Sequence, residues 1–271
     1  MDAKREYLAK TSMGSGLSLE NTSRELADSQ SETAILVFGG AEQCGPCLPC
    51  CIDSLLADFL ADRYAESLHA FRTPVFPYNT SQEHGNLAGT LSLPASLMQT
   101  ITEHLVCQLS QQGYRRFILL SPHGGSHWES SAIKEINAAN PNITLISAKD
   151  GAADSIPEAR LAAGLTEGEG LHGGLLPLCS TAFFHPDLVK AGSFGSLHPE
   201  QNEAAFNYGL LRAFSEDGCW GDPIEVKAEQ ISEYAEKGKL LWTTFAEAQA
   251  NRLDTILNRV DSLRQQLASK A

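Results

Sequence analysis

Carboxylate, imidazole and thiol side chains able to bind a cation or move a proton are concentrated in a few short stretches of this sequence. Residues 39–53 read GGAEQCGPCLPCCID and carry Glu42, Cys44 and Asp53, while SPHGG at 121–125 carries His123. Such a mixture of donors suits a divalent ion, and zinc, manganese and iron all accept it. Glu42 and His123 could serve as terminal ligands, and Asp53, with two oxygens, could bridge two ions. Spacing alone leaves other readings open. Asp53 also stands where a helix N-cap is expected, and a loop histidine is often only a hydrogen-bonded surface group. The cysteines read as C-x2-C-x2-C-C, superficially like iron–sulfur spacing, but Pro46 and Pro49 stiffen the loop and no distant cysteine pair completes a cluster pattern. Cys50 and Cys51 read more simply as small apolar residues entering a helix.

For these groups to meet, particular elements must carry them. The apolar run TAILVFGG (33–40) reads as a buried strand that empties into the cysteine-rich loop. Residues 53–68 have apolar positions at helical spacing, with Asp53 at the start as the expected cap. A second strand is expected at 70–78, interrupted by Pro74 and Pro77, and a helix at 92–113 closed by Gly113. RRFILLS (115–121) reads as a third strand, followed by a helix through about Ala139 and a fourth strand at 143–148. Alternating strands and helices imply a parallel sheet covered on both faces, with ligands beyond the C-terminal strand ends. The loops after strands one and three then open on one side. Glu42, Cys44, Asp53 and His123 are expected to converge there.

The bulk properties narrow the partners. The chain has 271 residues, enough for one large α/β domain over 31–271 preceded by a polar arm over 1–30 with at most one short helix. A formal net charge of -13 and a pI near 5.0 leave no basic stripe for phosphates, so nucleic acid is not an expected partner. No run of about 18 apolar residues occurs and the N-terminal stretch lacks the apolar centre of a signal peptide. The expectation is a cytoplasmic protein with no membrane partner, and the odd count of 7 cysteines favours reduced thiols.

Several segments, taken in order, resemble the creatininase (creatinine amidohydrolase) family. Residues 39–53 are similar to its metal loop, G-S/A-x-E-Q-H-G-P-H-L-P-L-x-x-D, without a gap and with Gly40 at the Ser/Ala position. SQEHGNLAGTLSL (81–93) resembles S-x-E-H-x-x-F-P-G-T-L-S-L, and RRFILLSPHGGS resembles R-R-I-x-x-x-N-G-H-G-G-N. LHGGLLPLCSTAFFHPDLV (171–189) and GCWGDPIEVKAEQISEYAEKGKLL resemble the family's histidine–glycine and G-D-P…A-E-K-G segments. The resemblance covers about 33–265. It implies a three-layer α/β/α sandwich with a mostly parallel central sheet, a dinuclear metal centre, hydrolysis of amide C–N bonds, and a homo-oligomer, often a hexamer.

Carried over residue by residue, the resemblance implies that Glu42, Asp53 and His123 hold one divalent ion, zinc first, with manganese or iron as alternatives. The second ion's histidine is Cys44 here, and its two possible glutamate positions are Gly125 and Pro177, neither an acid. Cys44 remains a possible thiolate ligand, and Glu129 or His127 could substitute from the adjoining helix. His172 falls at the position that protonates a departing nitrogen, and Glu83 and His84 at positions that contact substrate or fix the pocket loop. The expected function is a metal-dependent amidohydrolase acting through metal-activated water on an amide, cyclic amide or formamide of a small molecule or peptide. Two alternatives stand beside it: a catalytically silent homologue with a binding or accessory role, and an enzyme that uses Cys44 as nucleophile.

Overall fold

A computed structural model describes residues 16–165, 172–196 and 215–268. Its centre is a four-stranded sheet of β1 (Thr33–Val37), β2 (Phe71–Arg72), β3 (Arg116–Leu120) and β4 (Thr144–Ser147), in the order β2-β1-β3-β4 with every pairing parallel. The middles of β1, β3 and β4 are apolar on both faces, as covering of both faces requires. Successive side chains point to opposite faces, and the two cores divide accordingly. Ile35, Val37, Ile118, Leu120 and Ile146 face one core. Ala34, Leu36, Phe38, Phe117, Leu119 and Leu145 face the other.

The first core is covered by α2 (Ile52–Leu68), α5 (Ala152–Ala162), α6 (Leu175–Phe184) and the long α7 (Ile231–Ala268). The second is covered by α3 (Ala95–Gln111) and α4 (Glu129–Ala139). This is the expected α/β/α sandwich. Ahead of it, α1 (Ser23–Asp28) begins at a capping box formed by Thr22 and Glu25, and Leu17 bridges Phe71 at the sheet edge. An antiparallel pair, β5 (Gly192–Ser196) with β6 (Gly221–Val226), packs with the cysteine-rich loop in a third apolar cluster. No described helix is long and apolar enough to cross a membrane.

Two local expectations change. The second strand shrinks to two paired residues plus an isolated Phe38–Phe76 bridge, because Pro74 and Pro77 have no N–H for the ladder. Asp53 is not the cap of α2: Cys51 occupies the N-cap without a side-chain bond, and Asp53 lies in the first turn. Its carboxylate is turned toward His123 instead.

Asn79, fully buried, ties together the segments that follow three strands. Its Nδ2 donates to Gly39 O and to Ser121 Oγ, each at 3.0 Å, while its Oδ1 accepts from Trp128 Nε1 and Thr80 N, each at 2.9 Å. Asn79→Ala strands several buried polar groups and should lower the free energy of unfolding by about 3 kcal/mol or more in urea titrations. Thr22→Ala, which removes only the exposed cap of α1, should cost about 1 kcal/mol.

Candidate metal centre

The centre is assembled at the C-terminal ends of β1 and β3. Past β1 the chain turns through Gly39 and Gly40, and Glu42 N donates to Cys50 O at 2.9 Å to close the loop. A Cβ on Gly40 would lie 2.6 Å from Asp53 Oδ2, so glycine at this position gives that carboxylate its room. Past β3, His123 donates from Nε2 to Thr80 O at 2.6 Å, and its Nδ1 meets Asp53 Oδ2 at 3.0 Å. Glu42 Oε2 stands 3.5 Å from His123 Nε2. His172 is placed by a backbone bridge with Trp220. Its Nε2 donates to Gln43 O at 2.7 Å, which leaves Nδ1 3.4 Å from Glu42 Oε1.

Among the described residues, two groups of three have ligand atoms all within 4.8 Å of one another: Glu42, Asp53 and His123, and Glu42, His84 and His172. Hydrogen bonding separates them. The Gln43 amide nitrogen donates to Gly218 O and to His84 Nδ1, each at 2.8 Å, while Gly45 N donates to its Oε1. The amide orientation is therefore assigned by three partners, and the hydrogen of a neutral His84 ring belongs on Nε2, 3.5 Å from Glu42 Oε1. In that tautomer His84 Nε2 carries a hydrogen and Nδ1 is taken by Gln43, so the ring offers no lone pair to an ion. In the first group every residue can offer a lone pair once His123 gives up its Nδ1 proton. Glu42 Oε2, buried and with no hydrogen-bond partner among the described residues, is the orphan atom that a cation would satisfy.

Electrostatics sharpen the contrast. Burial pushes the Glu42 carboxyl up to about 8, although the His123 charge opposes the shift. Burial disfavours a charged His123, but the hydrogen bond and charge of Asp53 outweigh it and raise the imidazole to about 9. Asp53 is likewise desolvated, yet its bond to His123 wins and holds it below the ordinary carboxylate range. Burial lowers His172, and lowers His84 to about 2, so both rings are neutral.

The cavity facing these groups has a volume of about 460 Å³, and Glu42, Cys44, Asp53, Glu83, His123 and His172 line it. His84 is not on its wall; it is buried and its ring packs 4.1 Å from that of His172. Cys44 lines the cavity but belongs to neither group of three. Burial, reinforced by Cys219 and the nearby carboxylates, pushes its thiol well above the ordinary range. Glu129 is taken by Lys149 and Ser147, each at 3.1 Å, and His127 is exposed. A Cβ at Gly125 would be 2.6 Å from Glu83 Oε1, His123 Nε2 and Thr80 O, so this packing has no room for an acid there. Pro177 lines the cavity from α6. Sequence reasoning did not single out Gln43 as the anchor of both histidines. Nor did it single out Thr80, or Trp242, which reaches the cavity from α7.

Binding of a divalent ion to Glu42, Asp53 and His123 must displace the protons on Glu42 and His123. Calorimetry in buffers of different ionisation enthalpy should therefore register release of about two protons per zinc near pH 7. Affinity should rise with pH and flatten once the values near 8 and 9 are passed.

A family model described as creatinine amidohydrolase matches residues 19–252. Among solved structures, a proposed creatinine amidohydrolase from Bacteroides fragilis is 20% identical, with a TM-score of 0.67 and coverage of 89% of this chain and 96% of that one. A creatininase structure is 20% identical with a TM-score of 0.69, covering 89% and 98%. A manganese form of creatininase is 19% identical with a TM-score of 0.69, covering 89% and 99%. At these identities the structural likeness speaks for the fold. A sequence search of curated proteins finds no match. The family model spans most of the chain, and the chain belongs to the creatininase family.

Proposed function

We propose that the protein is a metal-dependent amidohydrolase that cleaves a C–N bond in an amide, cyclic amide or formamide, with one divalent ion held by Glu42, Asp53 and His123. The observation that carries this reading is the convergence of those three side chains within 4.8 Å around an unsatisfied Glu42 oxygen. Zinc fits two carboxylates and one imidazole, and manganese or iron is compatible with the same donors. When bound, the ion would supply Lewis-acid polarisation of the carbonyl and acidify a water.

The remaining work falls to the chain. Hydrolysis joins the water oxygen to the carbonyl carbon, breaks the C–N bond and delivers a proton to the departing nitrogen. His172 is neutral, its Nε2–H is fixed on Gln43 O, and its Nδ1 lone pair stands beside Glu42 at the cavity. Nδ1 can accept a proton and pass it to the nitrogen. His84, packed against the His172 ring and held by Gln43, keeps that ring in place. Glu83, on the cavity wall, is available to a substrate N–H. A protonated Cys44 is a poor nucleophile, which favours water over thiol attack. The acid-free walls at Gly125 and Pro177 favour one ion per chain.

Metal analysis of protein purified without chelators should find about one divalent ion per chain. Asp53→Asn and His123→Ala should lose it along with turnover of a panel of lactams, formamides and short peptides. His172→Ala should keep the ion and lower kcat by about 10²–10⁴, and Cys44→Ala should keep both ion and turnover. Absence of any bound ion would sink the proposal. An ion bound without turnover across the panel would replace hydrolysis with a binding role.

A further inference from the structure

A second cavity of about 250 Å³, open to solvent along one side, is walled by residues of the first core beside the metal cavity. Leu60, Tyr64, Leu120, Ile156 and Phe245 form its walls. Leu56, Pro122 and Trp242 line both cavities, so the two share a boundary.

Two elements run from the metal centre into this chamber. On α2, Asp53 is followed at helical spacing by Leu56, Leu60 and Tyr64, which puts all four on one face and extends over about 16 Å of helix axis. At the end of β3, Leu120, Ser121 and Pro122 line the chamber and His123 comes next. A molecule anchored between Asp53 and His123 therefore has the chamber wall one helical turn away. The chamber offers little charge to a ligand. Lys149 lies at its edge, but its ammonium is committed to His123 O at 2.8 Å and Glu129 at 3.1 Å.

We propose that the substrate is an amide bearing an apolar chain, with the scissile bond at the metal centre and the chain in the chamber bounded by Leu60, Tyr64, Ile156 and Phe245. This rests on the metal-centre reading above and adds the substrate class to it. At roughly 30 Å³ per water-sized group, the volume accommodates a chain of about six to eight carbons. Trp242, whose Nε1 donates to Ser180 Oγ at 2.8 Å, stands at the junction with its ring fixed. It makes an apolar wall shared by the polar and apolar halves of the site.

The test is calorimetric binding of n-alkyl hydroxamic acids from acetohydroxamate to octanohydroxamate by the zinc-loaded protein. The hydroxamate reports the metal centre and the chain reports the chamber. Kd should fall about fourfold per added methylene, the equivalent of roughly 0.8 kcal/mol per buried CH2, until the chamber is full. Ala152→Phe, and independently Ala153→Phe at the rim, should flatten this series while leaving acetohydroxamate affinity unchanged. A flat series in the unsubstituted protein, with acetohydroxamate still bound, would overturn the proposal and leave the metal centre standing; a chamber already filled by another segment of this chain gives that result. Gains that persist unaltered in both variants would place the chain elsewhere and also overturn it. Failure of acetohydroxamate itself to bind zinc-loaded protein would remove the metal-centre reading, and the joined site with it.

Discussion

The contact between His123 Nδ1 and Asp53 Oδ2, 3.0 Å long, with the imidazole buried and the carboxylate half-buried at the cavity wall, is the interaction around which the C-terminal edge of the sheet is arranged. A buried charge is costly unless it is paired and hydrogen-bonded. Here each ionised group stabilises the other's charge. The pair also needs support: Thr80 O takes the second imidazole hydrogen, Lys149 donates to His123 O, and glycine at position 40 keeps the space beside the Asp53 carboxylate open. Glu42 enters the same volume without an equal set of donors, so its proton stays on at neutral pH. Protons on Glu42 and His123 thus balance the carboxylates gathered at this edge.

That arrangement depends on the sheet. Parallel pairing of β1 with β3 brings the ends of both strands to the same edge, and the loop after each delivers its functional group there. The N-terminus of α2 returns to that edge and presents Asp53 in its first turn. Asn79 then locks the adjacent segments by joining Gly39, Ser121 and Trp128 through one buried amide. A similar economy holds on the other side of the cavity. The Gln43 side chain orients His84 and its carbonyl orients His172, so one residue fixes the tautomers of both rings.

Membership of the creatininase family accounts for the framework, while the cavity departs from the family's motif in particular places. Cys44 has the burial of a core residue and packs in an apolar cluster with Cys47, Cys219 and Phe194. At Gly125 the backbone approaches Glu83, His123 and Thr80 too closely for a side chain. The walls that remain are polar at one end and apolar at the other, where α2, α5 and α7 leave space above the sheet. Such a division fits a ligand with one hydrogen-bonding end and one hydrocarbon end.

Much of this was legible from the chain itself. Apolar runs, helical spacing and punctuation by Gly and Pro predicted the alternating strands and helices, since local sterics and burial on two faces act over a few residues. The motif around Glu42 and Asp53, with His123 after the third strand, pointed to a single cation-binding edge because parallel topology sends both loops to one side. Other features required the tertiary structure. Asp53 reads as a helix cap from sequence, but an ion pair with a residue 70 positions later, His123, turns it inward. Glu129 reads as an available ligand, yet Lys149 holds it. The part played by Gln43 depends on His84, His172 and Gly218, which spacing cannot bring together, and Trp242 meets the site only because α7 folds back over the first core. Sequence by itself determined which donors were available and toward which edge they would go. Tertiary packing decided which lone pairs face one another, because hydrogen bonds and desolvation operate over a few ångströms between residues far apart in the chain.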